Sequence, residues 1–119
     1  MAREIETKCI HLEEEENSIN HYGAISYPIY QSATYAHPGV GQSTGYDYSR
    51  LQNPTREHLE KTVASLENGI DALAFSSGMA AITLMMELFK PGDHLIVDAD
   101  LYGGSIRLFN HVSEKKRNR

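Results

Sequence analysis

An α/β fold built on an unfinished parallel layer is what this 119-residue sequence predicts, on three observations. The second half alternates short apolar runs with helical periods, the order that lays parallel strands against helices. A turn of small residues, Ser76-Ser77-Gly78, stands between the first such run and the helix after it. The stretch from 22 to 46 instead carries Gly, Pro, Ser and repeated Tyr with no sustained period, and predicts an extended segment without a core of its own.

Along the chain, residues 1–21 hold the acidic run Glu13-Glu14-Glu15-Glu16, bounded by Asn17 and Ser18, which reads as a solvated helix face or arm. Pro28 and Pro38 then favour extended backbone before them. Asn53 is placed to cap a helix with Pro54 in its first turn, where proline sacrifices no needed hydrogen bond. Leu59, Val63 and Leu66 form that helix's apolar stripe, and Glu57, Glu60, Lys61 and Glu67 its wet side. Asn68-Gly69 ends it, because both residues tolerate a left-handed cap.

A strand over Ala72–Phe75, a helix over Met79–Phe89, a turn at Lys90-Pro91-Gly92-Asp93 and a strand over His94–Val97 follow. A last helix begins after Gly104 with Ile106, Leu108, Phe109 and Val112 on its apolar side. Two strands do not complete a parallel sheet, so their edges need partners. The expected organisation is an arm over 1–52, an α/β domain beginning over 53–112, and a polar basic tail over 113–119. The arm makes physical sense crossing to a neighbouring subunit, or packed as a loop on its own chain.

Composition narrows the function. A net charge of −5 gives no support for nucleic-acid binding. A single cysteine, Cys9, excludes an internal disulfide and fits a reducing compartment. No apolar stretch reaches membrane-spanning length and Met1-Ala2-Arg3-Glu4 lacks a signal-peptide core, so a cytoplasmic chain is expected. His11, His21, His37, His58, His94 and His111 show no metal-ligand spacing, and no metal site is expected. Asp98 and Asp100 read as caps for the next helix sooner than as an acid–base pair.

The chemistry sits in three blocks. A Ser-Ser-Gly turn opening a helix leaves unpaired N–H groups at the positive end of a helix dipole, a site for phosphate. Gly78 lets an anion approach closely, and the absence of a following lysine separates the turn from a Walker-type loop. Upstream stands Tyr46-Asp47-Tyr48-Ser49-Arg50-Leu51-Gln52-Asn53-Pro54-Thr55, and downstream Asp98-Ala99-Asp100-Leu101-Tyr102-Gly103-Gly104. Tyr48 and Tyr102 are each open to a packing role, and Arg50 to surface pairing with Asp47 or Glu57.

In this order the three blocks resemble the cystathionine γ-synthase/γ-lyase family, pyridoxal-phosphate enzymes of cysteine and methionine metabolism, from about Tyr22 to Phe109. The resemblance implies the start of an aminotransferase-like (fold type I) cofactor domain with pyridoxal 5′-phosphate as cofactor. It implies that Ser77, Gly78 and Met79 hold the phosphate, that Tyr102 stacks on the pyridine ring and has a hydroxyl free for proton transfer, and that Tyr48 and Arg50 reach the phosphate from a neighbouring subunit. The family's Schiff-base lysine lies downstream in a Ser-x-Thr-Lys context, which Lys8, Lys61, Lys90, Lys115 and Lys116 do not match. The expectation is therefore the N-terminal part of a transsulfuration enzyme acting on a sulfur amino acid or an activated homoserine ester. By itself it would be inactive, with weak or absent cofactor binding, and would associate as a homo-oligomer or with a full-length family subunit. The alternative is a non-catalytic short paralogue, or the relic of a truncated gene.

Overall fold

The computed structural model describes residues 4–10, 24 and 26–117, with side chains in the last helix described to Val112. The acidic run Glu13–Glu16 with Asn17 and Ser18, His11, His21, Tyr22, Asn118 and Arg119 lie outside the described residues. Among those described, the helices are α1 (Ile5–Ile10), α2 (Pro54–Leu66), α3 (Gly78–Met86) and α4 (Gly103–Arg117). The chain divides into two compact units, Met1–Ala74 and Phe75–Arg119.

In the first unit α1 packs on α2. Helix α2 starts where the sequence places it. Asn53 is extended (φ −144°, ψ 130°), and its Oδ1 accepts from the Thr55 and Arg56 N–H groups at 2.9 and 3.2 Å. Such a cap contributes about 1 kcal/mol. The helix closes as the Gly69 N–H reaches Ala64 O at 2.8 Å across Asn68, whose φ of 53° is the left-handed conformation expected at that end.

The segment before α2 is tied to its first turn. The Tyr30 N–H donates to Thr55 Oγ1 at 2.8 Å, and that hydroxyl donates to Pro28 O at 3.2 Å. Asn53 Nδ2 reaches Tyr30 O (3.1 Å), the Tyr35 hydroxyl (3.2 Å) and Ser49 Oγ (3.1 Å). A single antiparallel bridge joins Thr34 to Tyr48, flanked by bonds from the Ser49 N–H to Ala33 O and from the Tyr35 N–H to Asp47 O.

In the second unit α3 packs on α4. The expected end of α3 at Phe89 moves to Met86. The Glu87, Leu88 and Phe89 N–H groups each reach back three residues, so the last turn tightens out of α-geometry before the turn at Lys90–Asp93. Gly92 takes φ 98° in that turn. Helix α4 starts at Gly103, slightly ahead of its expected start.

Two expectations are corrected. Residues 72–75 and 94–97 form no hydrogen-bonded ladder among the described residues. A strand exists only through its neighbour, and here the neighbour is missing: Leu73 is 64% exposed and Ile96 96%. The Ala74 N–H turns instead to Glu60 Oε1 at 2.8 Å. The second correction is the face of α2. Leu59 and Val63 stand exposed, whereas Pro54 and Ala64 are buried and the Glu60 side chain, meant for the wet side, is only 16% exposed. The stripe was legible as apolar, but of its three residues Leu66 alone is half-buried and Leu59 and Val63 stay exposed.

Asn53→Ala is expected to lower the urea stability of the first unit by about 1–2 kcal/mol, the range of a lost cap with its attached contacts. Asn53→Asp keeps the cap and loses the donors. Amide exchange at Tyr30 then quickens while the α2 amides stay protected; equal loss in both places would show that the donors do not hold the segment.

Candidate functional site

The second unit carries the small-residue turn. Ser77 is extended (φ −158°, ψ 156°) and caps α3, its Oγ accepting from the Ala80 N–H at 3.1 Å and its carbonyl from the Ala81 N–H at 3.2 Å. The N–H groups of Gly78 and Met79 meet no acceptor among the described residues. A β-carbon at Gly78 would find nothing within 4 Å, so the approach to those donors is open. Two free N–H groups, a hydroxyl proton on Ser77 and the positive helix end make a donor set suited to phosphate. The turn passes this test on its own geometry.

Tyr102 precedes α4 and its carbonyl accepts from the Ser105 and Ile106 N–H groups at 2.9 and 3.3 Å. The residue is 71% exposed. The ring edge lies against Gly104, and Met79 Sδ comes to the same glycine. Buried Ser105 faces that sulfur, Oγ to Sδ 3.8 Å. The second unit therefore brings Ser77, Gly78, Met79 and Tyr102 to one end of its two helices.

Tyr48 and Arg50 belong to the first unit. The Arg50 guanidinium lies 5.0 Å from the centre of the Tyr48 ring, a cation–π contact. Both side chains are exposed. Neither acid considered as a partner for Arg50 takes it: Asp47 receives Ser43 Oγ and pairs with His37, and Glu57 pairs with Lys61 at 2.7 Å. Arg56, unremarked in the sequence, donates to Ser49 O and Leu51 O at 3.0 and 2.6 Å and so brackets Arg50 from both sides. The sequence marked Asn53 as a helix cap and part of the upstream block without its Nδ2 contacts, and it gave Gly104 no role of its own.

Asp98 Oδ1 accepts from the Asp100 N–H at 2.9 Å, so the first acid shapes its own turn. A cleft of about 390 Å³ in the first unit runs between α2 and residues 71–73, with Arg56, Glu60, Lys61 and Asp71 in its wall. None of the expected site residues lines it. Among the described residues no group of three His, Cys, Asp or Glu is placed to hold a metal ion, and no helix is long and apolar enough to cross a membrane.

Next to Tyr48, the Tyr46 hydroxyl donates to Glu57 Oε2 at 2.5 Å. Burial first, then that bond, pushes the Tyr46 phenol well above its ordinary value. Bonds from Lys61 and then Tyr46 hold the Glu57 carboxyl below its own. Tyr27 stacks on His58, ring centres 4.0 Å apart and 7° from parallel, and burial lowers the His58 imidazole.

Comparison with known proteins identifies the family and the fold. The family described as Cys/Met metabolism PLP-dependent enzyme matches residues 6–118. A cystathionine gamma-synthase/O-acetylhomoserine (thiol)-lyase of Bacillus subtilis is 50% identical over 115 residues, 97% of this chain and 30% of that protein. A cystathionine beta-lyase of Coxiella burnetii is 47% identical over 111 residues, 93% of this chain and 28% of that protein. The crystal structure of cystathionine gamma synthase from Xanthomonas oryzae pv. oryzae, in complex with aminoacrylate and cysteine, superposes with a TM-score of 0.83 at 37% identity. It matches 98% of this chain, which covers 30% of that structure. The fold is thus part of the fold type I architecture of PLP-dependent enzymes, and the chain spans about three-tenths of the length of the relatives it matches.

A depressed carboxyl contributes stability above its unfolded pKa and loses it as pH falls through its folded one. Acid titration is therefore expected to release the Glu57 contacts below the ordinary carboxylate range. Glu57→Gln is expected to bring the Tyr46 phenolate in at lower pH, nearer the ordinary 10.0, read by phenolate absorbance or ring-carbon shift. An unmoved Tyr46 titration would leave burial as the whole cause.

Proposed function

The chain belongs to the Cys/Met metabolism PLP-dependent enzyme family, and we propose that it is the part of such an enzyme that grips the cofactor phosphate and faces the pyridine ring. The observation that carries this is the start of α3, where the Gly78 and Met79 N–H groups are free and accessible beside Ser77. The two backbone donors and the Ser77 hydroxyl would hold phosphate oxygens, and the α3 dipole would favour the charge. Tyr102 would offer a ring face to the pyridine and keep its hydroxyl for a polar contact or proton transfer. Arg50 suits phosphate through its fork of donors, and its guanidinium lies against the Tyr48 ring. When bound, pyridoxal phosphate supplies an electron sink for carbanion chemistry at an amino acid.

The substrate class proposed is a sulfur amino acid or an activated homoserine ester, worked on at its β- or γ-carbon. The relatives named here include both a synthase and a β-lyase, and the γ-synthase or γ-lyase branch is the reading preferred. Tyr48 and Arg50 serve a neighbouring subunit's site in this reading, with the stretch up to residue 52 as the crossing arm. Exposed Ile29 and Leu51 on that stretch support it, at 77% and 70% exposure. The same apolar exposure favours a second reading, in which the chain docks on a full-length family subunit without turning over substrate. The exposed lone thiol of Cys9 fits the cytoplasm for either.

No lysine here takes the Schiff-base role in this reading; Lys61 is held by Glu57 on α2. The isolated chain is expected to bind pyridoxal phosphate weakly and non-covalently. Borohydride should trap no stoichiometric pyridoxal on one lysine, and cystathionine should yield no 2-oxobutyrate or pyruvate above a no-protein control. Specific trapping or steady release would overturn the assignment of roles. Absence of any binding, with inorganic phosphate also failing to perturb the Gly78 and Met79 amide signals, would remove the phosphate grip itself.

A further inference from the structure

We infer that Gly104 is a positioning residue for Tyr102: its missing β-carbon lets the Tyr102 ring and the Met79 thioether close over the start of α4, which sets where the ring stands relative to the phosphate turn. The inference deepens the proposed function and rests on it for the cofactor. A β-carbon at Gly104 would stand 2.5 Å from Tyr102 Cε1, 3.1 Å from Cδ1 and 3.2 Å from Met79 Sδ. Real β-carbons do not come that close to a ring, so something must move.

What moves is decided by the surroundings. Tyr102 backbone is fixed by its carbonyl's two bonds to the Ser105 and Ile106 N–H groups. Met79 lies in the first turn of α3, with Ser105 Oγ on its sulfur. Tyr102 is 71% exposed, so its ring is the part with space to leave. Nor does the backbone call for glycine here. Gly41, Gly45 and Gly92 take positive φ; Gly104 does not. Inside a helix, glycine costs about 1 kcal/mol relative to alanine. What glycine supplies at position 104 is space, since the Tyr102 ring and Met79 Sδ crowd the place where a β-carbon would stand. Gly103 supplies the contrast, since a β-carbon there meets nothing within 4 Å.

The test uses the full chain with methyl-labelled methionine and ring-labelled tyrosine. Wild type is expected to show a nuclear Overhauser contact between the Tyr102 ring and the Met79 methyl or Gly104 α-protons. Gly104→Ala should abolish the ring-to-Met79 contact with helix content kept, and weaken pyridoxal phosphate binding about fivefold, the order of a lost aromatic stack. Inorganic phosphate binding should stay within about twofold in that variant, because the turn is untouched. Gly103→Ala should change none of these readings. In a Tyr102→Leu background, adding Gly104→Ala should weaken pyridoxal phosphate no further. A wild type without the Overhauser contact, an unmoved ring in Gly104→Ala, or an added loss in the double variant overturns the inference. If wild type binds no pyridoxal phosphate and inorganic phosphate leaves the Gly78 and Met79 amides unperturbed, yet the ring moves as expected, the positioning stands and the functional reading falls.

Discussion

The arrangement of the first unit depends on one carboxamide. Asn53 Oδ1 satisfies two orphan donors of α2, and Nδ2 serves three acceptors drawn from residues 30, 35 and 49. An amide nitrogen has two protons, so these three are shared, and each acceptor constrains the others. No other common capping residue does both jobs. Ser, Thr and Asp can cap, but none brings an NH2 group to the other side. The result is that a helix start and an otherwise aperiodic segment share one fixed point. Tyr48 and Arg50 are presented from the short stretch between that point and the Thr34–Tyr48 bridge.

Hydrogen bonding carries this burden because apolar burial is slight. Ala64 and Met86 are the buried hydrophobic residues of the described core, alongside Pro54. At about 25 cal/mol per Å², two small-to-medium side chains supply little of what ordering a chain requires. Ile70, Leu88 and Ile96 remain open at 106%, 78% and 96%. Such side chains are the raw material of a larger core, and they match the fact that relatives built on this architecture are about three times longer. Junctions rich in polar contacts stay specific even where the surrounding layer is thin.

What the sequence disclosed follows the same division. Asn53 with Pro54, the left-handed turn at Asn68 and the small-residue turn before α3 were legible because each depends on three or four neighbouring residues. The family resemblance was legible because its three blocks are short and their order is specific, and the match over residues 6–118 agrees with it. The strands over 72–75 and 94–97 and the inward face of Leu59 and Val63 were not realised, since burial and pairing belong to whatever lies opposite. Gly104 stood in the sequence only as the end of the downstream block. Its meaning arises where it meets Met79, 25 positions earlier, and no local pattern encodes that encounter.

The two groups of candidate site residues are built by different means, and magnitudes show why. At the α3 start the donors are backbone N–H groups, fixed once Ser77 caps the helix. They need no side chain to find its place. Arg50 is a long side chain whose present contact is the Tyr48 ring. An exposed cation–π contact is worth about 0.5–1 kcal/mol, whereas hydrogen bonds between charged partners contribute about 1.5–3 kcal/mol each. A guanidinium so held is tethered only lightly, and in the proposed reading it would give up the ring readily for phosphate oxygens. The ring would then limit how far Arg50 wanders before an anion arrives. In the proposed reading the two devices serve separate sites: the backbone cradle would fix where this chain's phosphate sits, and the lightly tethered cation would reach the phosphate of a neighbouring subunit.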